Sequence, residues 1–582
     1  MTKPHASVFA QYLERSGHPL PGYVSRGLLL STALALAACS STPLPEWPAS
    51  PGTSSTATKT PAGQSAQATP SGPARIEVTP VAPNTALQAL PYSAAIAALF
   101  PEPPTHYQTP GLAEGRQQFT TDAELSQWLL QLARQSEGGP TRLGILESGN
   151  AQSGAPIYAL VATQAPAITP AAVDNTLRPT VMIVAGQQGT DAVATEAALV
   201  IAQELAPGGN LAPLLAQINV IIVPRANPDG FNQRRSTTND GTDLRFDHLL
   251  LQTPEARFLA KLAREYRPNV LLDAGEFAAI EPTLQRFGAV RANDIGLQYA
   301  VTPNAHEFVT KAAREWMHAP TAQALDQAGL HVDWTFEPQA QQPDAVSMGT
   351  LQPTTLSNAS SLKNVISLQA SSRGNDLGRT HVQRRVFSLV QAMTSVLQST
   401  AAHAGNLRKV QEFVARDVAS HACRSTLTVD AQPRMEQHDI PLIDASTAQA
   451  VQKTVNWANT LHPTQPRIRS QACGYWLSAN AVQAAERLAM QGLNVQRVAE
   501  PSSVTAETYQ NAPQADGVTL RPETLQVVPG SFYISMNQPL AFLAAAALEP
   551  DTAYSFYRQG LLPQLADSAR VLGAPSIVFE EE

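Results

Sequence analysis

Residues 180–205 read TVMIVAGQQGTDAVATEAALVIAQEL, and this stretch decides the fold class. Thr180–Ala185 is a short apolar run rich in β-branched residues, which is typical of a buried strand. Gly186 and Gly189 then predict a tight turn, and from Ala192 the apolar residues recur at helical spacing. The turn carries Gln187, Gln188, Thr190 and Asp191. Because ligands of open α/β sheets bind beyond the carboxyl ends of strands, these side chains are candidate binding groups.

The segments on either side repeat this alternation of strand and helix. Predicted strands cover residues 143–148, 156–162, 220–223 and 269–272, and predicted helices cover residues 121–135 and 254–266. Apolar strands that alternate with helices predict an α/β fold with a mainly parallel sheet covered on both faces.

The composition of the 582-residue chain is that of a globular protein, with 43% hydrophobic and 15% charged residues. This length predicts one large domain with a smaller one, or three modules. The formal net charge is −8, whereas nucleic-acid binding calls for a basic surface. We therefore expect no nucleic-acid partner.

The N-terminal segment indicates an exported chain. Arg26 precedes an apolar run of about a dozen residues, which is too short to span a bilayer core of about 30 Å. The run ends in Leu-Ala-Ala-Cys at residues 36–39, which resembles the bacterial lipoprotein signal. The resemblance implies that residues 1–38 are removed and that Cys39 anchors the protein through lipid. Because Ser40 follows the cysteine, it also implies the periplasmic face of the outer membrane. The alternative is a plain secretory signal with an incidental cysteine.

Export changes the expectations for two other features. Residues 39–85 are rich in Pro, Ser, Thr and Ala and poor in large apolar groups, which predicts a disordered tether. The two other cysteines, Cys423 and Cys473, form an even pair, and in exported proteins such pairs are more often bridged than free. The alternative is two buried thiols.

Five ordered segments carry a resemblance to a known family. They are GQQGTD at 186–191, NPDGF at 227–231, DLRFDH at 243–248, DAGEF at 273–277, and the stretch 362–374 that ends in SSRG. They resemble the motifs of the zinc metallocarboxypeptidases, the carboxypeptidase A family, in its bacterial branch. The resemblance implies a mixed eight-stranded sheet sandwiched by helices over residues 86–400, followed by a C-terminal region of unknown role at 401–582.

The chemistry that this resemblance implies requires a particular set of residues. Two imidazoles and a carboxylate hold a zinc ion, which keeps one position open for water. Zinc makes that water acidic enough to attack a peptide carbonyl near neutral pH. A glutamate then takes the proton and passes it to the leaving amine.

This chain departs from the family at each of these positions. Gln188 stands where the family has the first histidine, and Asp191 stands where it has glutamate. Gly275 replaces the other histidine and has no side chain to offer, while Ser371 replaces the general base. Asp191 is therefore the only residual ligand, and we expect no bound metal and no intact catalytic residue.

Other site positions are partly kept. The family's carboxylate-binding Asn-Arg pair aligns with Arg245-Phe246, and Arg234 or Arg235 is the candidate for a remaining substrate-binding arginine. The remaining candidates are assigned by position alone. Asp243 matches the carboxylate that would orient the first histidine, His248 is assigned a structural role, and Glu276 is a weaker candidate for cation binding.

Three functions remain open from the sequence. The favoured one is a pseudo-peptidase, a carboxypeptidase fold without catalysis or cofactor that binds a peptide or protein, or acts as a scaffold, in the cell envelope. The second is an active zinc carboxypeptidase that cleaves peptides or cell-wall stem peptides. The third is a structural lipoprotein that acts through residues 401–582.

Overall fold

The computed structural model describes residues 92–339, 342, 344–512 and 517–581. The predicted lipoprotein signal at 1–38, the predicted lipid anchor Cys39 and the predicted tether at 39–85 lie outside the described residues. The strands are β1 (Arg142–Asn150), β2 (Pro156–Thr163), β3 (Thr180–Ala185), β4 (Asn219–Val223), β5 (Val270–Phe277), β6 (Ala289–Arg291), β7 (Ile295–Tyr299), β8 (Val332–Asp333), β9 (Phe336–Pro338), β10 (Ala345–Met348), β11 (Ile366–Arg373), β12 (Thr426–Asp444), β13 (Ala450–Ser470), β14 (Gly474–Leu477), β15 (Gln496–Arg497), β16 (Ser502–Asn511), β17 (Val518–Val527), β18 (Phe532–Ser535) and β19 (Ser568–Val571).

Helices alternate with many of these strands, as the sequence predicts. They are α1 (Ala94–Ala97), α2 (Asp122–Gln135), α3 (Pro170–Asp174), α4 (Ala192–Glu204), α5 (Pro228–Gln233), α6 (Pro254–Tyr266), α7 (Thr283–Phe287), α8 (Glu307–Ala312), α9 (Ala319–Gln327), α10 (Leu356–Ser361), α11 (Val382–Ala402), α12 (Ala404–Ser420), α13 (Val482–Met490) and α14 (Ala541–Leu548). Among the described residues, no helix is long and apolar enough to cross a membrane.

The largest sheet has eight strands in the order β1-β2-β4-β3-β5-β11-β7-β8, which confirms the predicted α/β class and the mixed eight-stranded sheet. Its centre is parallel, because β3 pairs in parallel with both β4 and β5, and β5 pairs in parallel with β11. Antiparallel pairs flank this centre, where β2 meets β1 and β4 and where β11 meets β7. The edge strand β8 pairs with β7 in parallel again, so the sheet is mixed.

The residues of β3 alternate between two hydrophobic clusters, one on each face of this sheet. Val181 and Ile183 pack with the apolar faces of α4 and α11, whereas Met182 and Val184 pack with α6. Because successive side chains of a strand point to opposite faces, a strand covered by helices on both sides must be apolar throughout. All six residues of β3 are buried, which explains its unbroken apolar sequence.

The chain on both sides of residue 400 contributes to a second sheet. This five-stranded sheet has the order β6-β12-β13-β10-β9, so the long hairpin of β12 and β13 pairs with strands from before residue 400. A third sheet, in the order β15-β18-β14-β19-β16-β17, belongs wholly to the C-terminal region. Cys423 and Cys473 are bridged, which confirms the predicted disulfide.

Candidate functional site

The candidate site begins at the turn between β3 and α4. Gly186 has a positive φ of 65°, and a Cβ at Gly189 would collide with the backbone of Gly230. Both glycines are therefore needed for the backbone path of this turn. Asp191 occupies the position just before α4, but its carboxylate does not cap the helix.

Three of the four degenerate positions meet beyond this turn. Gly275 on β5 and Ser371 on β11 are direct neighbours in the parallel register of the two strands. A Cβ placed on Gly275 would lie 3.2 Å from Oδ2 of Asp191 and 3.7 Å from Oγ of Ser371. Gln188 belongs to the same turn, where its carbonyl accepts a hydrogen bond from the Asp191 amide at 3.0 Å. The structure thus brings these positions together as the family resemblance implies.

The environment of Asp191 opposes its ionisation. Its side chain is buried, and within the described part of the chain its Oδ1 has no hydrogen-bond partner. Burial, together with the nearby negative charge of Glu276, raises the pKa of Asp191 well above its ordinary value, although the guanidinium of Arg245 acts in the opposite sense. A metal ligand must be deprotonated, so a cation bound by Asp191 would have to offset this rise in pKa.

A hydrogen-bonded chain of three side chains lies beside the cluster. Nε2 of Gln187 donates to Oδ1 of Asp273 at 2.7 Å, and Oε1 of Gln187 lies 2.6 Å from Nε2 of His248. Burial lowers the pKa of His248 to about 3, with a smaller effect from the ammonium of Lys363, and burial raises the pKa of Asp273 to about 6. His248 is therefore neutral near pH 7 and donates to Gln187, which gives it the structural role predicted from the sequence.

Glu276 is committed to a buried ion pair. One of its carboxylate oxygens accepts a very short hydrogen bond from Arg385, and the other accepts from the amide of Val193 in the first turn of α4 at 3.0 Å. A carboxylate at a helix N-terminus is stabilised by the free amides and by the helix dipole. Both oxygens are thus already occupied, which does not suit the cation-binding role considered for Glu276.

The two arginines predicted as candidates for substrate binding, Arg234 and Arg235, directly follow α5. Arg235 donates to the carbonyls of Thr238 and Asn239 at 3.4 and 3.3 Å, and exposed Arg234 follows α5 in a left-handed conformation. Within the described residues, neither makes a hydrogen bond or an ion pair with the cluster.

The positive charge that acts on the cluster belongs to Arg245. Its guanidinium pairs with Asp243 at 2.6 Å, and its positive charge offsets part of the rise that burial causes in the pKa values of Asp191 and Asp273. Asp243 is therefore engaged with this arginine. Phe246, which stands at the family's arginine position, leaves 41% of its surface exposed.

These residues do not fit a zinc ion held in the family manner. Zinc sites of this kind need three protein donors, and Gly275 supplies none. Gln188 offers only a neutral amide, Asp191 lies where burial favours its protonated form, and Glu276 is occupied by Arg385. Over the ranges that the structure describes, no group of three or more His, Cys, Asp or Glu side chains is placed to hold a metal.

Some of these features could not be found from sequence motifs. Gln187 stands one position before the family ligand position, and its sequence context marks it only as a polar turn residue, yet it links Asp273 to His248. Arg385 lies 109 residues from Glu276 in the sequence. Its sequence signal is Glu276 itself, because a carboxylate in a buried strand requires a partner.

Comparisons with known proteins agree with the motifs. Residues 125–248 match the family model described as zinc carboxypeptidase, and this range includes Gln188 and Asp191 but ends before Gly275 and Ser371. Carboxypeptidase 2 of Trichophyton rubrum is 24% identical over 399 residues, which cover 65% of this chain and 73% of that protein. Carboxypeptidase 2 of Trichophyton equinum is 23% identical over 402 residues, with the same two coverages of 65% and 73%.

Two solved structures illustrate the likeness in three dimensions. Carboxypeptidase A from Helicoverpa armigera is 14% identical, with a TM-score of 0.38 over 50% of this chain and 75% of that chain. A metallo-carboxypeptidase from Burkholderia cenocepacia is also 14% identical, with a TM-score of 0.35 over 47% of this chain and 68% of that chain. This chain is thus similar to zinc carboxypeptidases over residues 125–248, and to curated carboxypeptidases over 65% of its length.

Proposed function

We propose that this protein is a pseudo-peptidase, a metallocarboxypeptidase fold that binds a peptide or protein, or acts as a scaffold, without hydrolysing peptide bonds. One observation carries the proposal. Gly275, Asp191 and Ser371 lie side by side at the positions where the family has two zinc ligands and the general base. None of these three residues can supply the family's chemistry at neutral pH. The backbone frame of the site is kept while its donors are not.

The charge distribution supports binding of a peptide rather than its cleavage. Arg245 is partly exposed and projects its positive charge toward the cluster, so a peptide carboxylate could compete with Asp243 for it. Planar guanidinium groups bind carboxylates in two-point geometry. Phe246 adds exposed apolar surface beside this charge, with the Arg245 guanidinium carbon 5.3 Å from the centre of the Phe246 ring.

The proposal includes the cell envelope as the location. The support is the Leu-Ala-Ala-Cys sequence at residues 36–39, which would place a lipid on Cys39 and tether the folded part to the periplasmic face of the outer membrane. Residues 39–85 would then act as the spacer between lipid and fold.

Metal content and peptidase activity test the central claim. Protein purified without added metal should contain well under one zinc per chain and should release no C-terminal amino acid from a panel of peptides. Stoichiometric zinc, with peptidase activity that is lost on chelation, would overturn the proposal in favour of an active zinc carboxypeptidase.

A set of restoring variants makes this test sharper. The triple variant Gln188→His, Asp191→Glu and Gly275→His should gain zinc binding, because Gly275 does not have a positive φ and the one tight contact of its added Cβ, at 3.2 Å, is with the side chain of Asp191, which the same variant replaces. Gly275→Ala is the matched control, since it fills the same space without a donor. Adding Ser371→Glu and Phe246→Arg to the triple variant is expected to give turnover only in the zinc-loaded protein.

Peptide binding is measured separately with the unmodified site. Fluorescent peptides that end in a free carboxylate should bind more tightly than the same peptides ending in an amide. Arg245→Gln should remove this difference, while Arg314→Gln, at an exposed arginine paired only with Glu315, should leave it unchanged. Equal binding of both peptide forms to the unmodified protein would contradict the role given to Arg245.

A further inference from the structure

A cavity of about 280 Å³ lies at the sheet edge opposite to the degenerate site. It opens beside Pro268 and Val365, which precede β5 and β11, whereas Gly275 and Ser371 lie near the carboxyl ends of the same strands. Residues of the C-terminal region, including Gln491 and Leu540, form the rest of its wall. The cavity is therefore a second candidate site, formed jointly by the chain before and after residue 400.

The wall of this cavity carries positive charge without any carboxylate. Arg264, Arg267 and Lys363 all line it, and among the residues that the structure describes no Asp or Glu does. Arg267 pairs at the surface with Asp174 at 2.6 Å, and Arg264 donates to the carbonyl of Ala489 at 3.3 Å. Both arginines are exposed and stand at the mouth.

Lys363 differs from the two arginines because its side chain is less exposed to solvent than theirs. Its side chain is partly buried, and its ammonium forms no ion pair within the described part of the chain. Burial lowers the pKa of Lys363 to about 8, and no neighbouring carboxylate acts to raise it. A buried charge is costly unless it is paired, so an anion in the cavity would stabilise it.

The same wall contains Gln491, whose side chain has a buried hydrogen-bond acceptor without a partner among the described residues. Its side chain is only 3% exposed, and its Nε2 donates to the carbonyls of His248 and Leu249 at 2.7 and 3.2 Å. These two hydrogen bonds fix the orientation of the amide, so that Oε1 is the acceptor left over. Among the described residues this buried Oε1 has no partner. It would accept a hydrogen bond from a ligand hydroxyl or amine.

We propose that this cavity binds a small anion that also carries a hydrogen-bond donor, such as a hydroxycarboxylate or a polyol phosphate. The anionic oxygens pair with Lys363 and are attracted by Arg264 and Arg267 at the mouth, while the donor reaches Oε1 of Gln491. The volume lies near the lower end of the range for ligand pockets, which restricts the ligand to a small molecule. This site is independent of peptide binding at the degenerate centre.

Binding is tested on the full chain by calorimetry and thermal shift, using two matched ligand pairs. Lactate should bind and propionate should bind more weakly, because propionate lacks the hydroxyl for Gln491. Glycerol 3-phosphate and methyl phosphate form the corresponding phosphate pair, so the two pairs together distinguish a carboxylate ligand from a phosphate ligand. Equal binding within both pairs would overturn the donor assignment.

Two variants locate the site. Lys363→Met should weaken binding by about tenfold or more, as expected for loss of a charged hydrogen-bond partner. Lys261→Met is the control, because Lys261 lies on α6 outside the cavity and faces Glu265 at 4.0 Å. Binding that survives Lys363→Met unchanged, or the absence of binding by all four anions, would overturn the proposal.

A measurement on the unmodified protein guards against a variant that fails to fold. Limited acetylation with acetic anhydride, read by mass spectrometry, should modify Lys363 more slowly when the bound ligand is present. Lys261 serves as the internal reference and should be modified at the same rate with and without ligand. Equal protection of both lysines, or of neither, would contradict binding at Lys363.

Discussion

Replacing Arg385 with methionine isolates the carboxylate of Glu276 inside the protein. Arg385 is 3% exposed and Glu276 is 5% exposed, so neither group can turn to water. Arg385 also donates to the carbonyl of Gly378 at 2.6 Å, which would lose a charged donor. Breaking a buried ion pair by removing one partner costs about 3–5 kcal/mol of unfolding free energy, and we expect Arg385→Met to fall in that range at pH 7.

A second substitution separates the uncompensated charge from lost packing. Glu276→Gln in the Arg385→Met background removes the charge while keeping the side-chain shape, so the double variant should recover a large part of the loss. Equilibrium urea unfolding followed by tryptophan fluorescence, with reversibility verified, measures the four members of this cycle. Arg314→Met, at an exposed pair, is the control and should change stability by less than about 0.5 kcal/mol.

Acidification gives an independent check of the same reasoning. Burial raises the pKa of Glu276, and loss of the Arg385 charge would raise this pKa further. A carboxyl group with a raised folded-state pKa binds its proton in the folded protein before the unfolded chain does, so lowering the pH favours folding. The cost of Arg385→Met should therefore shrink as the pH falls from 7 toward 5. A cost below about 1 kcal/mol at pH 7, or one that grows on acidification, would refute the assignment.

Four further outcomes are expected. Replacing Cys423 and Cys473 together with serine should lower the unfolding free energy by about 4 kcal/mol, because the bridge closes a loop with a sequence separation of 50; an unchanged urea midpoint would argue against this. Between pH 8 and pH 10.5 the unmodified protein should gain stability relative to Lys363→Met, since the unfolded chain keeps a proton that the folded lysine has released; parallel stability curves would rule this out. Deleting residues 401–582 should give insoluble protein, because β6 and β10 lose their partners β12 and β13, and a soluble, cooperatively unfolding fragment would show instead that the first 400 residues fold alone. Cys39→Ala should move the protein from the membrane fraction to the soluble fraction, and continued sedimentation with membranes would count against the lipid anchor.

The positions of the main strands and helices could be predicted because hydrophobic period is a local property of the chain. Thr180–Ala185 and Pro254–Tyr266 have the predicted bounds, and the predicted strand at 220–223 extends by only one residue. The strand predicted at 269–272 continues to Phe277 in β5, because its parallel partner β11 keeps pairing through Asp273 and Glu276. Polar residues late in a strand conceal its length when only the apolar pattern is considered.

The sequence by itself predicted that the family ligands are absent, since Gln188, Gly275 and Ser371 stand at the motif positions assigned to them. It did not determine the environment that these positions share. Whether Asp191 can ionise and where the charge of Arg245 acts depend on burial and on groups distant in sequence.

Tertiary structure alone decided how the rest of the chain completes the fold. The pairing of β12 and β13 with β6 and β10, the ion pair of Glu276 with Arg385, and the cavity wall shared by Lys363 and Gln491 each join segments that are far apart in sequence. Such contacts have no local signature, because their stabilising energy depends on packing and desolvation between whole elements. The spacing of hydrophobic residues specifies which face of a helix or strand is buried. Only the assembled fold specifies which other helix or strand packs against that face.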